Sequence, residues 1–212
     1  RVPVSHEPAP ARPARPQFRR EERREFRYQL SIGIAFAFSW LFWLIPPLAR
    51  GWFADRCGDL FYRVSSTYPR NVRDNVQIVQ AYAGRNDDPE PLVRSIFRSS
   101  ARNFMDLIII PRHRKSTFIT SVRLDGGSWR TLDDALAAGK GGLLVTGHLG
   151  CLDYIGQALV ARDYKLTVVT GRTTSRFIFD GVTWLRGSRG LKLVEPTPSG
   201  VRAVMRAVRR NE

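Results

Sequence analysis

Cysteine is almost missing from these 212 residues: Cys57 and Cys151 form no CxxC pair and no framework. A disulfide scaffold or a structural metal centre is therefore not expected, and a reducing compartment is the default. No G-x-S-x-G stretch occurs, which argues against a serine hydrolase of the nucleophile-elbow type. Internal repeats are absent too. Acidic residues are scarce, 19 against 34 Lys and Arg, for a formal net charge of +15, and nearly all the cations are arginine. Such a balance favours anionic partners: phospholipid head groups, nucleic acid or phosphorylated molecules.

The chain opens at Arg1 and closes at Asn211-Glu212 directly after an arginine-rich, helix-like run, and both ends read as those of a fragment. Residues 1–16 carry five prolines among alanines and arginines, a composition that cannot bury a core and reads as a disordered tail. Residues 17–27 alternate charges at helical spacing and form a basic collar. The next twenty residues, 30–49, hold no charge and many aromatics (Phe36, Phe38, Trp40, Phe42, Trp43). Their length meets the threshold of ~20 residues for a membrane-spanning helix. Pro46-Pro47 interrupts it, leaving about sixteen helical positions, so a half-inserted or monotopic helix competes with a full crossing. The collar places the preceding end on the cytoplasmic side. A cleaved signal peptide is not expected, since the apolar run starts late and no small-x-small site follows.

Beyond it, residues 50–68 form an amphipathic helix packed on the core or lying on the bilayer, and Tyr68-Pro69-Arg70 make a turn. Together, 17–68 make one membrane-associated unit. Helices are expected over 70–82 and 90–110, the second opened by Asp87-Asp88 and burying Ile96, Phe97, Phe104 and Leu107. Past Pro111 the pattern turns to α/β. Strands are expected over 118–124, 141–145, 166–169 and 191–194, and helices over 128–139, 153–162, 177–185 and from Ser199 onward. That alternation gives a mostly parallel sheet with helices on both faces, within a domain spanning 69–212.

The stretch on which the rest converges is Val145-Thr146-Gly147-His148-Leu149-Gly150-Cys151-Leu152-Asp153-Tyr154. An apolar strand empties through glycines into a histidine, with a carboxylate five residues on. A histidine at a strand end and an aspartate in the first turn of the next helix can meet side chain to side chain. The carboxylate then holds one ring nitrogen protonated and leaves the other free as a base. Neither serine nor an activated cysteine stands in this dyad, since nothing beside Cys151 looks like its base and it reads as a small packing residue. The nucleophile is therefore a substrate hydroxyl. Gly147 and Gly150 allow close backbone approach to a ligand.

The arrangement resembles the His-x4-Asp/Glu motif of glycerolipid acyltransferases, and more narrowly the branch holding the lipid A lauroyl and myristoyl transferases and the phosphatidylinositol mannoside acyltransferases. Four further stretches agree: Gly58-Asp59-Leu60-Phe61-Tyr62-Arg63, Arg73-Asp74-Asn75, Ala101-Arg102-Asn103-Phe104 and Trp184-Leu185-Arg186-Gly187-Ser188-Arg189-Gly190. The resemblance implies a long-chain acyl thioester, on coenzyme A or acyl carrier protein, as donor, and a hydroxyl of a membrane glycolipid or lysophospholipid as acceptor. It implies His148 as general base and Asp153 as stabiliser of the imidazolium, with no cofactor and no metal. Backbone N–H groups near Gly150 or Cys151 become candidate donors to the oxyanion, and Arg186 and Arg189 candidate phosphate-binding residues. The resemblance also implies a C-terminal continuation that completes the sheet and the pocket. No acidic residue stands near Gly171, which leaves Asp153 as the evident orienter of the histidine.

Two other readings use the same composition. Positive charge with tryptophan and phenylalanine suits a nucleic-acid protein, but here the aromatics gather in 30–49 and do not interleave with the arginines as a stacking platform requires. A non-catalytic membrane-anchored protein is the other, with His148 and Asp153 merely capping a helix. Loss of acyl transfer on replacing His148 separates that reading from an enzyme.

Overall fold

The computed structural model describes residues 17–123, 125–147, 150–171 and 175–212, with side chains from 23 onward, 126 excepted. The disordered-tail expectation for 1–16 and the position of His148 lie outside the described residues. The elements are α1 (Gln17–Trp43), α2 (Pro47–Val64), α3 (Thr67–Tyr82), α4 (Glu90–Ile109), a 3-10 turn (Ile110–Arg112), α5 (Lys115–Ser121), α6 (Gly126–Ala137), α7 (Leu152–Ala161), β1 (Thr167–Val169), α8 (Arg176–Gly187), β2 (Lys192–Val194) and α9 (Pro198–Arg209).

Collar and apolar stretch form one continuous helix, α1, which ends before Pro46; that proline removes a backbone donor and α2 starts at Pro47. No helix among the described residues is long and apolar enough to cross a membrane, so the full-crossing alternative is not met. Helix α1 buries small polar residues and leaves its large ones half out. Ser31 and Ser39 are buried, whereas Phe38, Trp40, Leu41 and Trp43 stay exposed. Ser31 Oγ donates to the Phe177 carbonyl of α8 (2.5 Å), and a Cβ on Gly181 would come within 2.9 Å of that Oγ. Arg112 ties the helix to the 3-10 turn, its guanidinium 4.5 Å from the Phe36 ring centre and 4.4 Å from that of Trp40.

Helices α2 and α4 pack face to face around charge. Gly58 makes the approach possible, since a Cβ there would fall 2.7 Å from the Phe97 carbonyl oxygen. Asp59, buried, accepts from Arg94 (2.8 and 3.0 Å) and from Arg98 (2.8 and 2.9 Å), and Asp55 accepts twice from Arg102 (2.6 and 2.5 Å). Helix α3 begins earlier than expected, with Pro69 inside its first turns, where a missing N–H costs nothing. Asp88 does hold the start of α4, accepting from the Glu90 N–H (3.1 Å).

The central core gathers Leu107, Ile110, Phe118, Ala158, Ala161 and Leu185 from α4, the 3-10 turn, α5, α7 and α8. Where a strand was expected over 118–124, residues 118–121 instead belong to helix α5: Phe118 and Val122, four apart, both pack on this core, and tertiary burial overrides the two-residue alternation. Among the described residues the sheet has two strands, β1 and β2, parallel, with Val168 opposite Leu193. The α/β character is therefore present in a mostly helical chain. The expected buried strand over 141–145 belongs to no sheet among the described residues, Gly141 taking a left-handed φ of 71°, and Leu143, Leu144 and Val145 are exposed. A strand is stabilised by a neighbour that takes its hydrogen bonds, and here the segment is anchored at its start, where the Gly141 N–H donates to Asn211 Oδ1 (2.9 Å). Helix α9 is capped by Thr197 rather than Ser199, the Thr197 hydroxyl accepting from Gly200 N–H at 3.2 Å.

Candidate functional site

Asp153 stands in the first turn of α7, as the spacing to His148 requires, and its carboxylate is partly buried. It is not free. Arg186, in the last turn of α8, donates through Nε to Oδ1 (2.7 Å) and through Nη2 to Oδ2 (3.3 Å), while its Nη1 lies 3.5 Å from Thr170 Oγ1. The bidentate fork fixes the plane of the carboxylate. A carboxylate offers about four lone-pair sites, so acceptor capacity remains for an imidazole N–H. Arg186, expected to bind phosphate, thus has Asp153 as its partner across 33 residues of sequence.

The remaining expected residues separate. Arg189 is exposed and donates to the Pro111 carbonyl (2.7 Å), away from Asp153. Gly150 takes a left-handed conformation (φ 69°) that only glycine adopts freely, and its carbonyl accepts from Asn103 Nδ2 of α4 at 3.3 Å. Cys151 precedes α7, and burial pushes its thiol up to about 11, which leaves it protonated and poorly nucleophilic. Its side chain gives α7 no cap, unlike Asp125 of α6, Ser175 of α8 and Thr197 of α9. The start of α7 carries the positive end of the helix dipole, and its Asp153 and Tyr154 N–H groups reach towards the Cys151 thiol.

Around this point stand groups the sequence did not single out. Asp106, one turn beyond Asn103 on α4, has its carboxyl pushed up by burial, partly offset by Arg50. His113 is pushed down by burial, its Nε2 is buried without a hydrogen-bond partner, and its ring lies edge-on to Phe118 and Tyr154. The Tyr154 hydroxyl is raised above its ordinary value, again chiefly by burial. Thr170 also borders a cavity of about 420 Å³ walled by Tyr28, Phe179, Trp184, Leu193 and Val194, with Arg176, Asp180 and Glu195 among its polar lining. Such a volume is in the range of small-molecule sites, roughly 300–1,000 Å³. Asn103 was legible only as part of a motif; its neighbour across 47 residues was not.

Comparison with known proteins bears on this geometry. The family model described as bacterial lipid A biosynthesis acyltransferase matches residues 15–212, nearly the whole chain. No curated protein matches it. The match takes in the His148 to Asp153 stretch, the α2–α4 pair and the Arg186 segment alike, and it displaces the reading of a non-catalytic anchor. The chain belongs to the bacterial lipid A biosynthesis acyltransferase family and is an acyltransferase.

Proposed function

We propose that the protein transfers a long-chain acyl group from a thioester, on coenzyme A or acyl carrier protein, to a hydroxyl of a membrane glycolipid or lysophospholipid, with His148 as general base and Asp153 as its orienter. The observation that carries the reading is the Asp153 carboxylate, five residues after His148, held in one plane by Arg186 with acceptor capacity to spare. His148 takes the acceptor hydroxyl proton as the oxygen attacks the thioester carbonyl. The resulting oxyanion is received by backbone N–H groups near Gly150 and Cys151, at the start of α7. Collapse of the intermediate breaks the carbon–sulfur bond, and the imidazolium returns its proton to the departing thiolate. Asp153 stabilises that imidazolium throughout. Arg186 acts through Asp153, and Arg189 remains the guanidinium exposed enough to meet a phosphate of donor or acceptor.

The apolar cavity beside Thr170 is assigned to the acyl chain. The exposed aromatic and aliphatic surface of α1 and α2, with Trp40, Trp43, Leu48 and Trp52, is assigned to the cytoplasmic face of the bacterial inner membrane, from which the acceptor comes. An amphipathic belt of this kind lies in the interface and needs no crossing helix.

The test is transfer from radiolabelled palmitoyl-coenzyme A and, separately, palmitoyl-acyl carrier protein to extracted bacterial membrane lipids. One labelled lipid formed from one of the donors is the expected result and identifies both substrates. Folded protein that labels no lipid from either donor overturns the proposal.

A further inference from the structure

Gln157 is buried in the middle of helix α7, only 1% exposed, among the apolar residues that follow Asp153 and Tyr154. It stands four residues after Asp153, hence on the same face one turn along. Its Nε2 donates to the backbone carbonyl of Arg186 at 2.7 Å. That carbonyl belongs to the last turn of α8, where helical oxygens lose their partners within the helix. Arg186 is therefore gripped by α7 at both ends: its carbonyl by Gln157, its guanidinium by Asp153.

The other half of the amide makes this arrangement informative. Gln157 Oε1 is buried with no hydrogen-bond partner. Stranding a carbonyl oxygen in a dry interior disfavours the fold, and an apolar side chain of the same length would fill the space without that penalty. Packing alone thus gives no reason for an amide here. Its one bond fixes the residue whose side chain orients the catalytic carboxylate. We propose that Gln157 is a positioning residue, setting the last turn of α8 so that the Arg186 fork meets Asp153 in the plane that His148 needs. The proposal rests on the roles given above to Asp153 and His148.

Gln157→Met separates positioning from folding. Relief of the stranded oxygen offsets the bond lost to the Arg186 carbonyl, so the melting temperature stays within a few degrees of the parent's. A site loosened by a fraction of an ångström loses transfer, on the order of tenfold to a hundredfold in kcat. In an Arg186→Lys background the same change costs nothing more, because the two act as one unit. Parent-level transfer by Gln157→Met, or losses that multiply in the double variant, overturns the proposal. Gln157→Glu gives a second route should the methionine variant fold poorly. A neutral carboxyl can donate to the Arg186 carbonyl and a carboxylate cannot, so transfer by this variant falls with rising pH relative to the parent; a parallel pH profile contradicts the role. The exchange rate of the Arg186 Nε–H proton, slow in the parent and fast in Gln157→Met, reports the grip without any transfer. It distinguishes failure of this inference from failure of the dyad.

Discussion

Asp59 and Asp153 both face arginine, and they do different things. Asp59 is 5% exposed and takes four N–H bonds from Arg94 and Arg98, which uses its acceptor capacity completely. Asp153 is 20% exposed and takes one guanidinium through two bonds, the second longer. A saturated carboxylate is a tie between helices. An unsaturated one, oriented but with lone pairs left over, is a group that still has a proton partner to receive. On the proposed mechanism the same chemistry serves architecture on α2–α4 and the reaction on α7–α8, and the difference lies in what is left unfilled.

Asparagine substitution breaks that comparison most strongly. Asp153→Asn is expected to lower acyl transfer by about 100- to 10,000-fold with a small change in melting temperature, read by initial rates and thermal unfolding on the same preparation. Asp59→Asn reverses the pattern: a melting temperature lower by several degrees, with transfer per folded molecule near that of the parent. An Asp59 variant that folds normally and loses transfer would place that pair in the site.

Acid sharpens the architectural half. Hydrogen bonds from Arg94 and Arg98 hold the Asp59 carboxyl well below the usual carboxylate range. An ordinary unfolded aspartate takes its proton near pH 3.9, so below about pH 4 the unfolded chain binds more protons than the folded one. Stability from this group is present above that pH and lost as pH falls towards the folded value. Asp55 and Glu90 shift the same way, through bonds from Arg102 and Arg73. The parent is expected to lose melting temperature below about pH 4, and Asp59→Asn to show a shallower decline, not an identical one.

The smallest expected effect belongs to Cys151. With its thiol raised by burial it supplies no nucleophile, so Cys151→Ser is expected to transfer within about twofold of the parent, and alkylation of native protein to label the exposed Cys57 first. A large loss in the serine variant would move covalent catalysis onto the cysteine.

Much of this was legible in the chain and some was not, for physical reasons. Helical spacing located α4, α7 and α8 to within a few residues, and short apolar stretches between helices located β1 and β2. Residues 118–124 and 141–145 were misread as sheet strands: a short apolar run looks alike in both states, and the choice falls to neighbours far along the sequence. Asp153 was legible because its spacing to His148 is local. The partner of Arg186 was not, since an arginine that binds phosphate and one that binds a carboxylate read the same until α7 and α8 are side by side. Gln157 and Asn103 carry no chemistry of their own, and their meaning is the carbonyl each one holds.

The dyad itself is tested most directly at His148. The measurement is the rate at which His148→Ala transfers labelled palmitate to lipid, on protein shown by circular dichroism to keep the parent's fold. The expected result is a loss of at least about a hundredfold, matched and not multiplied when Asp153→Asn is added. Transfer at the parent's rate by His148→Ala would contradict the account, and leave the Asp153–Arg186 pair as one more tie between helices.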